Sequence, residues 1–230
     1  MQAQEIAVNN LARRPWLTRT VSTRETSDPL TDAFKEVGRA VRFERNSEIQ
    51  ADGEPADYFY QVVSGAVRTY KVLDDGRRQI SAFHLPGDVI ELEASRNHRF
   101  SAETIAPSVI RVAKRSAIVA LAERRPELAN EIWRRTANDL QSAQEHMLLL
   151  GRKSAEERVA SFLLEMADRS STEGGVELPM SRQDIADYLG LTIETVSRSL
   201  TLLEGTSAID RSGNRRIRLR NRSALQRLNG

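Results

Sequence analysis

Between residues 40 and 113 the apolar positions come in short bursts, at 41–43, 58–63, 66–72, 79–85, 89–91, 101–105 and 109–112. They are rich in β-branched and aromatic side chains and bounded by turn residues. Gly53, Gly65, Gly76 and Gly87 punctuate them at intervals of 12, 11 and 11 residues. Strands that short, with a glycine where the chain must turn sharply, predict an antiparallel β-roll or sandwich over 30–125, entered through a short helix from Leu30 to Gly38. From Ser116 the pattern turns helical. Pro126, tolerated in a first helical turn, opens a segment to about Leu150 in which Leu128, Ile132, Thr136, Leu140, Ala143, Met147 and Leu150 recur at spacings of 4, 4, 4, 3, 4 and 3. A stripe that narrow, with Arg134, Arg135, Asp139 and Glu145 outside it, suits a two-helix seam over 126–151; packing of the stripe on the β-domain is the competing reading. Gly151-Arg152-Lys153 reads as a hinge into a helix over 154–169, and Gly174-Gly175 as a loop.

The segment 152–230 carries the most specific pattern. Ser181 and Asp184 form a capping-box-like helix start, followed by Ile185, Ala186, Tyr188 and Leu189 and a stop at Gly190. One residue later Thr192 can cap a second helix, whose buried face is Ile193, Val196, Leu200 and Leu203. Two helices joined so tightly predict a helix-turn-helix, whose second helix enters a DNA major groove. Its outward residues near the start are Glu194, Ser197 and Arg198. Glu accepts from cytosine N4, Arg forks onto guanine O6 and N7, and Ser bonds either way. The plainer reading of Glu194 and Arg198 is an i,i+4 surface ion pair. Residues 205–227 then hold seven Arg and one acidic residue, with Ser212-Gly213-Asn214 between two alternating segments. That is a β-hairpin with an arginine-studded face, in which Arg215 and Arg216 suit DNA phosphates; with the helix pair it makes a winged helix.

Length and composition fit this division. A chain of 230 residues, 40% hydrophobic, can fill two modest cores. The formal charge is +2, yet 1–151 balances 21 basic against 21 acidic side chains, so the C-terminal arginine cluster and not the total carries the electrostatic case. No apolar run is long enough to span a bilayer and residues 1–10 do not resemble a secretion signal, so a soluble, cytoplasmic location with no membrane partner is expected. The polar segment 1–29 reads as a flexible extension. The absence of cysteine rules out disulfides, thiol switches and a four-cysteine iron–sulfur cluster. His84, His98 and His146 lie far apart, with no metal-ligand spacing, and no nucleophile elbow, P-loop or dinucleotide fingerprint is present. An enzyme is therefore not expected. A β-sandwich metal enzyme with an incidental helix-turn-helix is the rival from another class.

The C-terminal segment resembles the Crp/Fnr superfamily of bacterial transcription regulators, most specifically in S-R-Q-D-I at 181–185 and E-T-V-S-R at 194–198. Glu-x-x-Ser-Arg is the Fnr/FixK pattern. The cyclic-AMP receptor branch typically has arginine and glycine where this chain has Ile193 and Ser197. The resemblance implies an α+β protein: an N-terminal antiparallel β-roll of the cyclic-nucleotide-binding, jelly-roll kind, a long dimerisation helix and a C-terminal winged helix-turn-helix. It implies a homodimer on an inverted repeat of TTGA-type half-sites, phosphate contacts from Arg182, Gln183, Thr192 and Thr195, and RNA polymerase as a partner at activated promoters. In the cyclic-nucleotide-binding branch an Arg-Ser or Arg-Thr pair grips the cyclic phosphate. Here Ser101 aligns with that serine while Phe100 stands in the arginine's place, and Asp88, Glu91 and Glu93 make the region acidic. Without the guanidinium the phosphodiester loses its strongest charge-assisted contact, so no cyclic-nucleotide control and no cofactor are expected. A superfamily member gated by a different ligand in the β-roll is the alternative.

Overall fold

The computed structural model describes residues 28–90, 92, 95–169, 175–213 and 215–229. The extension expected at 1–29 falls outside the described residues except for Asp28 and Pro29. Asp28 caps α1 (Pro29–Val37) by accepting from the Leu30 N–H and the Thr31 hydroxyl, and Pro29 occupies the first turn. The helix buries Leu30, Ala33 and Phe34, the i, i+3, i+4 set that marks one face.

Eight strands follow: β1 (Arg39–Phe43), β2 (Glu48–Gln50), β3 (Tyr58–Ser64), β4 (Val67–Val72), β5 (Arg78–His84), β6 (Val89–Ile90), β7 (Ser101–Thr104) and β8 (Ser108–Lys114). They form two antiparallel sheets, ordered β1-β8-β3-β6 and β2-β7-β4-β5. This is the expected roll. The evenly spaced glycines sit at its turns, all with positive φ. At Gly65 the need is double, since φ is +87° and an added Cβ would lie 2.2 Å from the Ser108 hydroxyl oxygen. Sequence periodicity did not reveal β2, whose three residues are too few to show an alternation.

Three helices connect the roll to the C-terminal unit: α2 (Arg115–Ala122), α3 (Pro126–Arg152) and α4 (Ala155–Arg169). The C-terminal unit adds β9 (Val176–Glu177), α5 (Arg182–Leu189), α6 (Ile193–Gly205), β10 (Ile209–Ser212), β11 (Arg216–Leu219) and α7 (Arg222–Leu228), with sheet order β10-β11-β9. The helix pair and the hairpin take the expected places. β9 and α7, both short and without a period of their own, were not anticipated. The expected hinge is also tighter than its glycine suggested. Helix α3 continues through Gly151 and Arg152 and breaks only at Lys153. There Arg158 donates to the carbonyl oxygens of Leu150 (2.8 Å), Lys153 (3.0 Å) and Leu189 (2.9 Å), tying the end of α3 to α5.

One apolar cluster joins the two units, for Ala66, Ile80, Phe83 and Ile105 of the roll pack in the same core as Phe162, Ile185, Tyr188 and Leu189. Each histidine is a packing residue: His98 lies against Tyr60, His146 stacks on Tyr188 at 4.2 Å between centroids, and His84 meets the Thr69 hydroxyl at 3.2 Å. Burial lowers the His84 pKa to about 4, with Asp88 opposing and Arg169 reinforcing the shift. The folded imidazole thus stays neutral down to that pH, whereas in the unfolded chain it takes up a proton near pH 6.5. Stability should fall as pH drops through that window. The difference between thermal midpoints at pH 7 and pH 5 should shrink in His84→Asn, and an unchanged difference would remove His84 as the cause.

Candidate nucleic-acid interface

The interface begins at the capping box. The Asp184 N–H donates to the Ser181 hydroxyl (3.1 Å), and the Asp184 carboxylate takes the Ser181 N–H (2.9 Å) and hydroxyl (2.7 Å) in return. Burial pushes the Asp184 carboxyl upward, but these Ser181 bonds and the Arg68 and Arg78 guanidinia outweigh it and hold its pKa below the ordinary carboxylate value. Gly190 ends α5 in the left-handed region, φ 61° and ψ 40°, which is why a glycine stands there. The Thr192 hydroxyl then caps α6 by accepting from the Thr195 N–H at 3.2 Å.

Helix α6 buries Val196, Ser199, Leu200 and Leu203, whereas Ile193, expected on the same face, is exposed in its first turn. Its opposite side is open. Glu194, Ser197 and Arg198 are exposed there and line a shallow groove continued by Thr201, Leu202, Gly205 and Thr206. Among the described residues no ion pair joins Glu194 to Arg198, although the Arg198 charge still helps to lower the Glu194 pKa. The Glu194 carboxyl is held below the ordinary value by its own backbone N–H at the helix start and by the Thr192 hydroxyl. It is ionised, an acceptor facing outward one turn from the Arg198 donor fork.

The residues expected at phosphates fall on α5, at the start of α6 and on the wing. Thr192 is exposed and Thr195 partly so at the N-terminus of α6, where the helix dipole favours an anion. Gln183 is exposed and donates to Asp187 at 2.5 Å. Arg182 is half-buried, and its pKa is lowered first by that burial and then by the neighbouring Arg211 guanidinium. Two cations held that close gain from an anionic oxygen between them. Arg211, which the hairpin pattern did not single out, reaches this place because Glu204 accepts from its Nε at 2.9 Å. Arg220 at the end of the wing pairs with Asp210 and Arg222 at the start of α7 with Asp168, whereas Arg215 and Arg216 are exposed beside the Gly213 turn.

In the β-roll, the Ser101 hydroxyl accepts from the Asp52 N–H at 3.1 Å, and Asp88 accepts from the Leu85 N–H and pairs with Arg169. Glu91 and Glu93 lie outside the described residues.

Of the expected seam, Leu128 needs correction. Leu128 is buried and Ile132 packs with it in the core shared by α1, β3 and α2; Leu150 is half-buried beside Gly190. Leu128 therefore serves its own chain, while Ile132 and Leu150 keep part of their surface accessible. Thr136, Leu140, Ala143 and Met147 are exposed, and so is Trp133, 76% accessible, together with Leu140 at 61% and Met147 and Leu148 at 65% each. At 3.6 residues per turn the stripe read from sequence covers an arc of about 120°, and its two edges on α3 meet different surroundings. Trp133, seven residues before Leu140 and fourteen before Met147, was not singled out from the sequence.

A strand roll joined by a long helix to a winged helix-turn-helix with an open reading face defines a DNA-binding transcription regulator. Residues 40–125 match the cyclic nucleotide-binding domain and residues 157–228 the Crp-like helix-turn-helix domain. The chain is 50% identical over 217 residues to the nitrogen fixation regulation protein FixK of Azorhizobium caulinodans, covering 92% of this chain and 87% of that one. It is 42% identical over 177 residues to the transcriptional activatory protein AadR of Rhodopseudomonas palustris, covering 75% and 74%. The solved structure of FixK2 from Bradyrhizobium japonicum superimposes with a TM-score of 0.82 at 52% identity, over 84% of this chain and 98% of that chain. The chain belongs to the Crp/Fnr family of transcription regulators, on its FixK-like branch, and is not an enzyme. No helix among the described residues is long and apolar enough to cross a membrane.

Proposed function

We propose that this protein is a cytoplasmic transcription activator that binds TTGA-N6-TCAA-type inverted repeats as a homodimer without cyclic AMP, an iron–sulfur cluster or any other small molecule. The observation that carries the reading is the exposed set Glu194, Ser197 and Arg198 on the first turns of α6. Glu194 and Arg198 together read both strands of one G·C pair. Arg182, Gln183, Thr192, Thr195, Arg215 and Arg216 hold the flanking phosphates. The apolar row Trp133, Leu140, Met147 and Leu148, flanked by Ala137 and Ala143, is the seam on which two copies of α3 pair and set the reading helices about one DNA turn apart.

Independence from a ligand is supported by Phe100 in place of a phosphate-gripping arginine, by the engaged Ser101 hydroxyl and by the lack of cysteine. Activation proceeds by contact with RNA polymerase, control lies in the protein's abundance or proteolysis, and the regulon belongs to nitrogen or oxygen-limited metabolism, in keeping with relatives named as FixK and AadR. The match of 40–125 to the cyclic nucleotide-binding domain favours a second reading, in which the roll holds an effector. Fluorescence anisotropy separates the two. Ligand-free protein should bind a TTGA-N6-TCAA duplex tightly and a scrambled duplex weakly at near-physiological salt. Selectivity that appears only on adding cyclic AMP or cell extract would establish the effector-gated reading instead.

A further inference from the structure

The contact between the roll and the helix-turn-helix has two chemically different parts. Beneath lies the shared apolar cluster, with Phe83 and Tyr188 at 5.2 Å between centroids. Such contact is adhesive and non-directional. Over it lies a charged clasp. The Arg68 Nη1 donates to Asp184 Oδ1 at 2.6 Å and the Arg78 Nη2 to the same oxygen at 2.8 Å, while the Arg78 Nε donates to Asp187 Oδ2 at 2.8 Å. Arg68 is itself fixed by Glu103 on β7 (2.9 Å), and both guanidinia lie within 6 Å of the Tyr70 ring, at 5.9 and 5.6 Å from its centroid. The Gln79 amide donates to the Tyr188 carbonyl oxygen at 3.2 Å. The β4–β5 hairpin therefore grips α5 by its capping carboxylate. Asp184 divides its two oxygens, Oδ1 for the roll's arginines and Oδ2 for Ser181, and Asp187 likewise holds Arg78 with one oxygen and Gln183 with the other.

We propose that Arg68 and Arg78 are positioning residues for DNA recognition: through Asp184 and Asp187 they fix the rotation of the helix-turn-helix on the roll, doing with protein side chains what a bound effector would otherwise have to do. The inference rests on the DNA-reading role proposed above for α6 and deepens it. The Asp184 side chain is only 4% accessible and Arg68 12%, so these charges are desolvated. Desolvated ion pairs add little net stability, but a rotation that separates them leaves a carboxylate and two guanidinia unpaired at heavy cost. The clasp thus penalises every orientation but one. The grip falls on α5, and Glu194, Ser197 and Arg198 on α6 remain exposed while it is closed. From Arg78 the chain of contacts runs through Asp187 to Gln183, so the roll also sets a side chain placed at a phosphate.

The test compares wild type, Arg68→Ala/Arg78→Ala and Arg78→Lys as full-length proteins with two readouts. The first is the distance distribution between spin labels on Asp74→Cys in the β4–β5 hairpin and Ser223→Cys on α7, introduced into a chain with no cysteine of its own and diluted with unlabelled protein. It should be narrow in wild type, broad in the double variant and intermediate in Arg78→Lys. The second is anisotropy on the operator duplex. The double variant should lose on the order of tenfold in affinity, the size of a typical coupling between sites, with the dimer retained, and Arg78→Lys should recover part of it. An unchanged distribution would overturn the proposal, as would a broad one without loss of affinity or with a gain. Should the double variant fail to fold, Arg78→Lys carries both readouts alone. The distance measurement needs no DNA, so a wild-type protein that does not select TTGA-N6-TCAA would overturn the operator assignment separately.

Discussion

Replacing Arg198 by alanine should lower affinity for the operator by about 1–3 kcal/mol per half-site and flatten discrimination at one guanine, leaving binding to random DNA nearly unchanged. The side chain stands exposed on the second turn of α6, one turn from the ionised Glu194. Its guanidinium can fork onto O6 and N7 of a guanine, a contact that no other base offers with two acceptors. Arg216→Ala supplies the contrast. Arg216 lies exposed on the wing, where the partner proposed for it is a phosphate, whatever the sequence. Its loss should weaken specific and random duplexes alike and reduce the salt dependence of log K by about one per subunit. Anisotropy on the operator, on an operator with the guanine changed and on a scrambled duplex, each across a salt series, decides between the roles. Equal losses for Arg198→Ala on all three duplexes would mean that this arginine holds the backbone and reads nothing.

The second large effect is expected at the seam. Leu140→Lys/Met147→Lys should convert the protein to a monomer and lower operator affinity by roughly a hundredfold or more, because each helix-turn-helix then finds its half-site without the effective concentration its twin provides. Both side chains are more than half accessible, Leu140 61% and Met147 65%, so the substitutions disturb no packing within the chain. Leu128→Ala is the control. Leu128 is 1% accessible in the core with Phe34 and Ile118, and its truncation should cost about 2–5 kcal/mol of folding stability while leaving the seam residues untouched. Sedimentation equilibrium and thermal melts distinguish the two. A lysine double variant that remains dimeric at micromolar concentration would place the subunit contact elsewhere.

What the sequence determined by itself is what local chemistry dictates. A short strand needs only alternation and a turn, so the glycines at 53, 65, 76 and 87 marked the reversals of the roll, where φ is positive. A helix start needs one hydroxyl and one carboxylate three residues apart, so Ser181, Asp184 and Thr192 placed α5 and α6, and with them the outward position of Glu194, Ser197 and Arg198. Short pieces whose stability is borrowed stayed hidden: β2 and β9 exist because a partner strand completes their hydrogen bonds, and a two- or three-residue strand has no pattern to show. Tertiary structure alone decided which apolar residues of α3 face inward, because a 27-residue amphipathic helix carries an inner and an outer face whose periods overlap in one dimension. It alone joined Arg68 and Arg78 to Asp184, residues more than a hundred positions apart. In the sequence those are two arginines in strands and an aspartate that caps a helix. Only the packing of the roll against the winged helix takes them out of water together, and that desolvation turns ordinary surface charges into a constraint on orientation.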